Sequence, residues 1–371
     1  MPPAPPTLDE LSIGGPIGRG ATCAVRVASA TASVGSSMST SQPPEQRFAL
    51  KIIVKAKIVG QNQLTRLFRE KELLGELNHP NIVQLHGTLK DDSHLYFLLE
   101  LLTGGELLWH MRRAPRQCVP PGAARTCVGA LLLPLRYMQE QGVLYRDLKP
   151  TNVMFERSGK LKLVDFGHAK HVEPGERSLS LCGTPHYHAP EAVRGEGHGL
   201  PAQLWALGVL LVEMTAGEAP FWVTAEAKAR GDNMQALILR GEPNLGGVPD
   251  DEARDLAAAL LAPSADEREA AFPRGYQDVM GHPWLAALDW VAVEAGSRVP
   301  DSFDFEAASR DLSRRLADAE LEAEEQTNSA ADAAAAAALR QRAERYAELE
   351  RRTKEREREE EASAGEAQAV P

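Results

Sequence analysis

The feature that most constrains this chain is the polar run YRDLKPTN at positions 145–152, which lies between two apolar stretches. A second acid, Asp165, follows the strand-like segment 161–164 and precedes a Phe-Gly pair. Taken singly, either acid would be an ordinary solvated loop residue. Together, an acid, a lysine, an amide and a second acid on two turns can abstract a hydroxyl proton, neutralise a phosphate and bind a cation through oxygen ligands. The pattern therefore predicts phosphate chemistry.

This set of residues resembles the catalytic loop and the metal-binding Asp-Phe-Gly turn of eukaryotic protein kinases. The resemblance implies that Asp147 accepts the proton of the substrate hydroxyl and that Lys149 neutralises the transferred phosphate. It also implies that Asn152 and Asp165 bind Mg²⁺, with ATP as the other cofactor. The Lys-Pro-x-Asn form of the loop is typical of Ser/Thr kinases rather than tyrosine kinases.

Motifs of the expected small lobe occur earlier in the chain and in the matching order. The sequence IGRGATCAV at positions 17–25 predicts a glycine turn between two strands, although a plain hairpin would give the same pattern. Lys51 matches the kinase strand lysine that pairs with the α- and β-phosphates. Cys23 replaces the third glycine of the kinase loop, which we expect to cost about 1 kcal/mol if the position needs glycine geometry.

Apolar residues at helical spacing predict a helix over 64–77. Glu70 on this helix matches the helix C glutamate that pairs with the strand lysine in kinases, against the alternative of a solvated surface side chain. Glu72 is close enough in sequence to compete for the role. We choose Glu70 because it places Leu74, four residues later, on the buried side of the helix.

The expected contacts to the nucleotide follow from the resemblance. Leu99 would guard the adenine pocket, the backbone of 100–102 would hydrogen-bond adenine, and Glu106 would face ribose or a cation of the substrate. The glycine pair at 104–105 is the predicted hinge between the lobes. The full set of expected nucleotide contacts is Ile17, Gly18, Arg19, Gly20, Ala21, Thr22, Cys23, Ala24, Val25, Ala49, Lys51, Leu99, Glu100, Leu102, Glu106 and Met154.

The segment 165–191 resembles the activation segment of the AGC kinases, and most closely that of their cyclic-nucleotide-dependent branch. In that pattern Ser180 is phosphorylated by an upstream kinase, whereas an isolated serine here would be an ordinary loop residue. The phosphate needs cationic partners, and Arg146, Lys170 and Arg66 occupy the matching positions. Thr184 completes the expected catalytic set of Asp147, Lys149, Lys51 and Glu70.

Several residues depart from the kinase pattern. Gln203 stands where kinases usually have an Asp that caps the catalytic loop, and a neutral acceptor there loses about 1 kcal/mol and slows the enzyme about tenfold. Pro134 falls inside a helix predicted over 123–141, where it should cost about 3 kcal/mol if unrelieved. Arg268, by contrast, stands where the ion-pair partner of Glu191 is expected. Unusual histidines occur at His168, His186 and His188.

Composition limits the class of protein. A formal net charge of −11 argues against nucleic acid as a partner, and no apolar run reaches the roughly 20 residues of a membrane span. The N-terminus lacks the basic start and apolar stretch of a signal peptide. Four scattered cysteines without metal-ligand spacing indicate a reducing compartment, so we expect the cytoplasm, with the nucleus left open.

These observations predict an α+β fold, the bilobal protein-kinase fold, with a small antiparallel β lobe that carries helix C, a large mostly α lobe and a C-terminal charged helix. The domain is expected over 13–300, with lobes at about 13–101 and 104–300 and a flexible insert at 28–47. Residues 1–12 are Pro-rich and expected to be disordered. Residues 301–371 are expected to form a short AGC-like tail element, which touches the nucleotide in that group, and then an Ala/Glu/Arg-rich helix that could bind a partner.

The function predicted is a Ser/Thr protein kinase that transfers the γ-phosphate of ATP to protein hydroxyls and is switched by phosphorylation of Ser180. The alternative is a pseudokinase or scaffold that acts through its surface and C-terminal helix. Protein substrates with basic residues are expected because Glu106 and Glu213 match substrate-reading acids. Thr151 replaces a third such acid, so the basic preference should be weakened.

Overall fold

A computed structural model describes residues 5–20, 23–30, 46–58, 60–173 and 175–326, apart from the side chains of residues 226 and 320–326. The chain divides into a small unit, within residues 1–75, 84–101 and 311–371, and a large unit, within residues 76–83 and 102–310. The boundaries near residues 101 and 102 agree with the change of lobe expected from the sequence. No helix in the described ranges is long and apolar enough to cross a membrane.

The small unit contains a five-stranded antiparallel sheet with strand order β1-β2-β3-β5-β4. Alternate residues of β3 enter different cores, because successive side chains of a strand point to opposite faces. Phe48 and Leu50 pack with Leu98 on one face, whereas Ile53 packs with Leu64 of the helix α1 on the other. The elements are β1 (Leu11–Arg19), β2 (Cys23–Ala30), β3 (Gln46–Val54), α1 (Gln61–Glu76), β4 (Leu85–Lys90) and β5 (His94–Glu100).

The prediction that residues 1–12 are disordered is wrong for the part that the structure describes. A 3-10 helix covers Leu8–Glu10, and β1 already begins at Leu11. Leu11 is buried in the cluster of Phe48 and Leu50, and Leu8 packs against the same cluster. Burial of these two leucines supplies the hydrophobic stabilisation that a Pro-rich composition alone did not suggest. Residues 1–4 lie outside the described part.

The predicted insert 28–47 is shorter than expected. β2 continues to Ala30 and β3 begins at Gln46, and these two residues pair with each other in the sheet. Ala28 is fully buried, so the small side chains at the start of the segment belong to a strand. The remainder of the predicted insert, 31–45, lies outside the described residues.

The large unit is mostly helical and packs around α5 (Leu200–Ala216), the apolar helix predicted to be central. Trp205, Leu207, Val209 and Leu210 are completely buried, as expected for a helix that is apolar on all sides. The other helices are α2 (Leu107–Arg113), α3 (Pro121–Glu140), α4 (Pro190–Arg194), α6 (Ala225–Ala229), α7 (Met234–Arg240), α8 (Asp251–Leu260), α9 (Ala265–Ala271), α10 (Tyr276–Met280), α11 (Trp290–Glu294) and α12 (Phe305–Gln326), of which α12 runs on into the small unit. Pro134 lies inside α3, buried among the residues of the core.

Two short two-stranded sheets position the polar run 145–152. The run leaves β6 (Val143–Leu144), which pairs with β9 (Lys170–His171), and enters β7 (Val153–Phe155), which pairs with β8 (Leu161–Leu163). Both ends of the loop are therefore fixed by backbone hydrogen bonds. The same pairings bring the start of the segment 165–191 next to the loop.

The predicted tail element packs on the large unit. The ring of Phe303 stacks on His110, with centroids 4.3 Å apart, and Phe305 contacts Phe155. Burial lowers the pKa of His110 to about 4, so its ring is neutral at pH 7, and its Nε2 lies 2.8 Å from the Gly104 carbonyl oxygen. These two phenylalanines therefore attach the tail element to side chains of the large unit. The predicted charged helix is present as α12 up to Gln326, and residues 327–371 lie outside the described part.

Two Arg–Glu pairs of the large unit allow a matched test of burial. Arg268 and Glu191 form the ion pair expected from the sequence, and both side chains are almost completely buried, whereas Arg157 and Glu306 pair on the surface. Arg268→Leu leaves the Glu191 carboxylate buried without a cation, so we expect a loss of about 3–5 kcal/mol in the free energy of unfolding. Arg157→Leu should leave that free energy nearly unchanged.

Chemical denaturation of the full chain, followed by tryptophan fluorescence, measures both variants. An equal loss of stability in the two variants would contradict this assignment of the buried pair.

Candidate functional site

The polar run folds into a loop around the carboxylate of Asp147, which is 3% exposed. Thr184 donates a hydrogen bond to its Oδ1 at 3.0 Å. Lys149 and Asn152 donate to its Oδ2 at 2.7 and 2.9 Å, and Asn152 also donates to the Asp147 carbonyl oxygen. Three side-chain donors, one of them cationic, fix the orientation of this carboxylate. The predicted residues Asp147, Lys149, Asn152 and Thr184 are therefore brought together.

The backbone of this loop adopts an unusual conformation that α5 stabilises. Arg146 has φ of 67°, in the left-handed region that costs a non-glycine residue energy. Gln203 of α5 is buried, and its Oε1 accepts hydrogen bonds from the backbone N–H groups of Tyr145 at 2.6 Å and Arg146 at 3.3 Å. The neutral side chain at the position of the usual Asp therefore still caps the catalytic loop.

Asp165 and Asn152 carry side-chain oxygen atoms of the kind that bind hard divalent cations. Asp165 also has a positive φ, of 59°, and its side chain is solvent-exposed. The side-chain nitrogen of Asn152 donates hydrogen bonds to Asp147, so the side-chain oxygen Oδ1 is the atom that can bind a cation. No cluster of three or more His, Cys, Asp or Glu side chains within the described ranges could hold a metal.

The small unit contains the other predicted ion pair. Lys51 lies on β3 and Glu70 on α1, and the Lys51 Nζ is 2.5 Å from the Glu70 Oε1. Both side chains are largely buried, whereas Glu72 is exposed. The choice of Glu70 over Glu72 as the partner of Lys51 is therefore confirmed. Burial and pairing fix the direction of the ammonium group.

The predicted glycine turn connects β1 and β2. The Gly20 N–H donates to the Cys23 carbonyl oxygen at 2.9 Å, and Gly18 lies opposite Val25. Cys23 belongs to β2 and does not have a positive φ, so the expected loss of about 1 kcal/mol from glycine geometry does not apply. Ala21 and Thr22, also predicted to contact the nucleotide, lie outside the described residues.

The other predicted nucleotide contacts lie on two sets of elements. In the small unit, Ala49 of β3 and Leu99 of β5 are directly paired in the sheet, and Glu100 ends β5. In the large unit, Leu102 is buried, and Glu106 forms an isolated β-bridge with Met154. The backbone pairing thus joins Ala49 to Leu99 in the small unit and Glu106 to Met154 in the large unit.

Ser180 lies next to the catalytic loop through Arg146. The Arg146 Nη1 donates to the hydroxyl groups of Ser180 at 2.9 Å and Ser178 at 2.7 Å. Ser180 is exposed and Ser178 is buried, and Ser178 pairs with His198 through two backbone hydrogen bonds of 2.9 Å. The part played by Ser178 was not predicted, because a serine carries no sequence signal for a buried anchor.

Lys170, the second cation predicted for a phosphate on Ser180, has another partner in the unphosphorylated segment. The Lys170 Nζ pairs with the Glu176 Oε1 at 2.8 Å. Glu176 lies on the same segment, six residues away, and its carboxylate attracts the cation that the phosphate would need. The third predicted cation, Arg66, lies on α1.

Two further residues were not predicted as parts of the site. Tyr187 donates a hydrogen bond from its hydroxyl to Glu213, the predicted substrate-reading acid on α5. Burial raises the pKa of Glu213. His188 lies 2.9 Å, through its Nε2, from the Cys182 carbonyl oxygen. These contacts join residues several positions apart, and neither follows a periodic pattern that a sequence would show.

Comparison with known proteins agrees with this geometry. The protein kinase domain family matches residues 16–285. The chain is 36% identical over 246 residues to the cAMP-dependent protein kinase catalytic subunit of Dictyostelium discoideum, which covers 66% of this chain and 36% of that protein. It is 36% identical over 254 residues to cGMP-dependent protein kinase 2 of Homo sapiens, which covers 67% of this chain and 32% of that protein. It is 35% identical over 252 residues to the cGMP-dependent protein kinase of Plasmodium berghei (strain Anka), which covers 67% of this chain and 28% of that protein.

An antiparallel sheet with a buried Lys–Glu pair and a helical unit with an Asp-Lys-Asn loop define a protein kinase domain. This chain belongs to the protein kinase domain family. Within that family it is similar to the cyclic-nucleotide-dependent kinases of the AGC group, and it spans about a third of the length of the three relatives above. The predicted α+β kinase fold is thereby confirmed.

The cap from Gln203 can be tested with an isosteric pair of variants. Gln203→Ala leaves the buried N–H groups of Tyr145 and Arg146 without their acceptor, so we expect a loss of about 1–3 kcal/mol in the free energy of unfolding. Gln203→Glu keeps an acceptor oxygen of the same reach and should retain stability. Urea denaturation measures both, and an alanine variant as stable as wild type would show that the cap contributes little.

Proposed function

We propose that this chain is a Ser/Thr protein kinase that transfers the γ-phosphate of ATP to hydroxyl groups of proteins. The observation that carries the proposal is the buried Asp147 carboxylate, oriented by Thr184, Lys149 and Asn152. Phosphoryl transfer needs little covalent help from the protein, so catalysis consists mainly of positioning and charge stabilisation. A carboxylate held by three side chains from two segments meets that requirement.

In this mechanism Asp147 orients the substrate hydroxyl and accepts its proton as the oxygen–phosphorus bond forms. Lys149, with its Nζ at 2.7 Å from the Asp147 Oδ2, lies where it can neutralise charge on the phosphate being transferred. The bond between the γ-phosphorus and the bridging oxygen breaks, and ADP leaves with that oxygen. Asn152 and Asp165 would bind Mg²⁺, which neutralises phosphate charge when it is bound.

The small unit would bind the phosphates that are not transferred. Lys51 would pair with the α- and β-phosphates, and its ion pair with Glu70 supports this role because it fixes the ammonium group on β3. The backbone of the glycine turn at 17–25 would approach the phosphates closely. Ala49, Leu99 and the backbone of 100–102 would surround the adenine.

The substrates proposed are proteins with a basic residue near the acceptor. Glu106 and Glu213 would read that residue, and the use of Glu213 by the Tyr187 hydroxyl reduces what it can offer to a substrate. Thr151 supplies no charge at the position of a third acid, so the preference should be moderate. Four free cysteines support a reducing compartment, and we propose the cytoplasm.

Regulation is proposed at Ser180, as a phosphorylation site for an upstream kinase. Its hydroxyl already contacts Arg146, so a phosphate there would find one cation in place. Lys170 would have to leave Glu176 to become the second. Phosphorylation would thus exchange an internal carboxylate for a phosphate and strengthen the attachment of the segment to the catalytic loop.

The first test measures transfer of labelled phosphate from ATP to a basic peptide in the presence of Mg²⁺. We expect the wild type to transfer phosphate. The transfer rate should fall by about 100-fold or more in Asp147→Ala, because this change removes both the catalytic base and the acceptor to which three side chains donate hydrogen bonds. Asp92→Ala removes an exposed acid and should leave the rate unchanged. Equal background from all three proteins, even after phosphorylation of Ser180, would reject the kinase proposal in favour of a scaffold.

A peptide array tests the proposed substrate class. Peptides with arginine upstream of the acceptor should be phosphorylated faster than their alanine counterparts, by several-fold at most, and Glu213→Gln should reduce that difference. Peptides with alanine in place of the upstream arginine should be phosphorylated more slowly, but phosphorylation should still be measurable. An array without any preference for upstream arginine would exclude a basic substrate class.

A further inference from the structure

His188 links two ends of a turn beside the catalytic loop. Its Nε2 lies 2.9 Å from the Cys182 carbonyl oxygen. A carbonyl oxygen can only accept, so the imidazole must carry a hydrogen on Nε2 and donate it. The ring is half-buried, and burial lowers its pKa, while the hydrogen bond and the charge of Asp147 raise it.

The hydrogen bond closes a compact turn over residues 182–188. The Tyr187 N–H donates to the Thr184 carbonyl oxygen at 2.9 Å, and the His188 N–H donates to that of Pro185 at 3.2 Å. On the side of α5, the Tyr187 hydroxyl donates to Glu213. The turn is therefore fixed at its C-terminal end. The hydrogen bond from the His188 ring connects this fixed end to the Cys182 carbonyl oxygen.

The residues that follow Cys182 contact the catalytic loop directly. Gly183 has φ of 87°, and a side chain there would lie 2.5 Å from the Arg146 carbonyl oxygen, so only glycine permits this approach. Thr184 then donates to the Asp147 Oδ1 at 3.0 Å. A shift of the Cys182 carbonyl would move Gly183 and Thr184 with it. The orientation of the Asp147 carboxylate thus depends on a hydrogen bond two residues before Thr184.

We infer that His188 is a positioning residue for phosphoryl transfer, which acts through Cys182, Gly183 and Thr184 on the Asp147 carboxylate. The inference rests on the proposed kinase function. It assigns a role to one of the histidines that depart from the kinase pattern. His186, two residues earlier on the same turn, is exposed and provides the matched control.

The experiment compares His188→Leu, His188→Gln and His186→Leu in the full chain. Leucine removes the donor, so kcat should fall about fivefold with the KM for ATP within twofold of wild type, the size expected for one hydrogen bond. Glutamine places an N–H near the position of Nε2 and should recover most of kcat. His186→Leu should have the kcat of the wild type. A leucine variant with wild-type kcat, or a glutamine variant as slow as the leucine variant, would overturn the inference.

A double-mutant cycle separates positioning from general stability. If His188 acts through Thr184, the kcat of Thr184→Val with His188→Leu should be no lower than that of Thr184→Val alone. A merely structural role would give losses that multiply. His188→Ala, which also removes the donor, gives the same comparison should the leucine variant fold poorly.

Hydrogen–deuterium exchange of the peptides that cover residues 178–187 provides a readout without catalysis. Exchange should be faster in His188→Leu than in wild type and in His186→Leu. Unchanged exchange would overturn the inference even if the enzyme is active. If the wild type is inactive but exchange is faster in His188→Leu, the proposed kinase function is rejected. The hydrogen bond from His188 would then still be shown to stabilise the turn over residues 182–188.

Discussion

The buried carboxylate of Asp147 is the constraint on which the large unit depends. An ionised carboxylate removed from water is costly unless donors and a cation compensate it. Here Lys149, Asn152 and Thr184 supply those bonds, and they come from different stretches of chain. The short sheets, the cap from α5 and the turn at 182–188 all position groups around this one charge. Loss of any of these supports would leave the carboxylate in place but change its direction.

The residues of the candidate site could largely be predicted because each carries its chemistry in a short polar run. Asp147, Lys149, Asn152 and Asp165 stand out between apolar strands, and Thr184 and Glu191 follow in a fixed order. The partner of Lys51 was also predictable, since helical spacing left two candidates and burial favoured Glu70. The buried pair of Arg268 and Glu191 followed from the same order of motifs.

Sequence patterns were less informative where one side chain contacts another that lies far along the chain. Composition suggested disorder before residue 13, but Leu11 is buried, and Leu8 partly buried, against residues of β3 and β5, strands that follow much later. The stacking of Phe303 on His110 joins residues almost 200 positions apart, and no local pattern indicates it. Lys170 was assigned to Ser180 by position, yet a carboxylate six residues away is its partner. Burial and competition between nearby charges are properties of the folded chain, and a linear pattern does not contain them.

The departures from the kinase pattern bear on the choice between an enzyme and a scaffold. A scaffold is free to lose the supports of a catalytic carboxylate, whereas an enzyme that changes one residue must replace its function with another. Gln203 still accepts hydrogen bonds from the backbone N–H groups of Tyr145 and of Arg146, whose φ is positive. Cys23 occupies its position without a positive φ. His188 adds a hydrogen bond to the turn that carries Thr184. Gln203 and His188 thus support the loop and the turn that carry the donors to the Asp147 carboxylate. Such support favours the enzyme, because phosphoryl transfer requires that carboxylate to point in one direction.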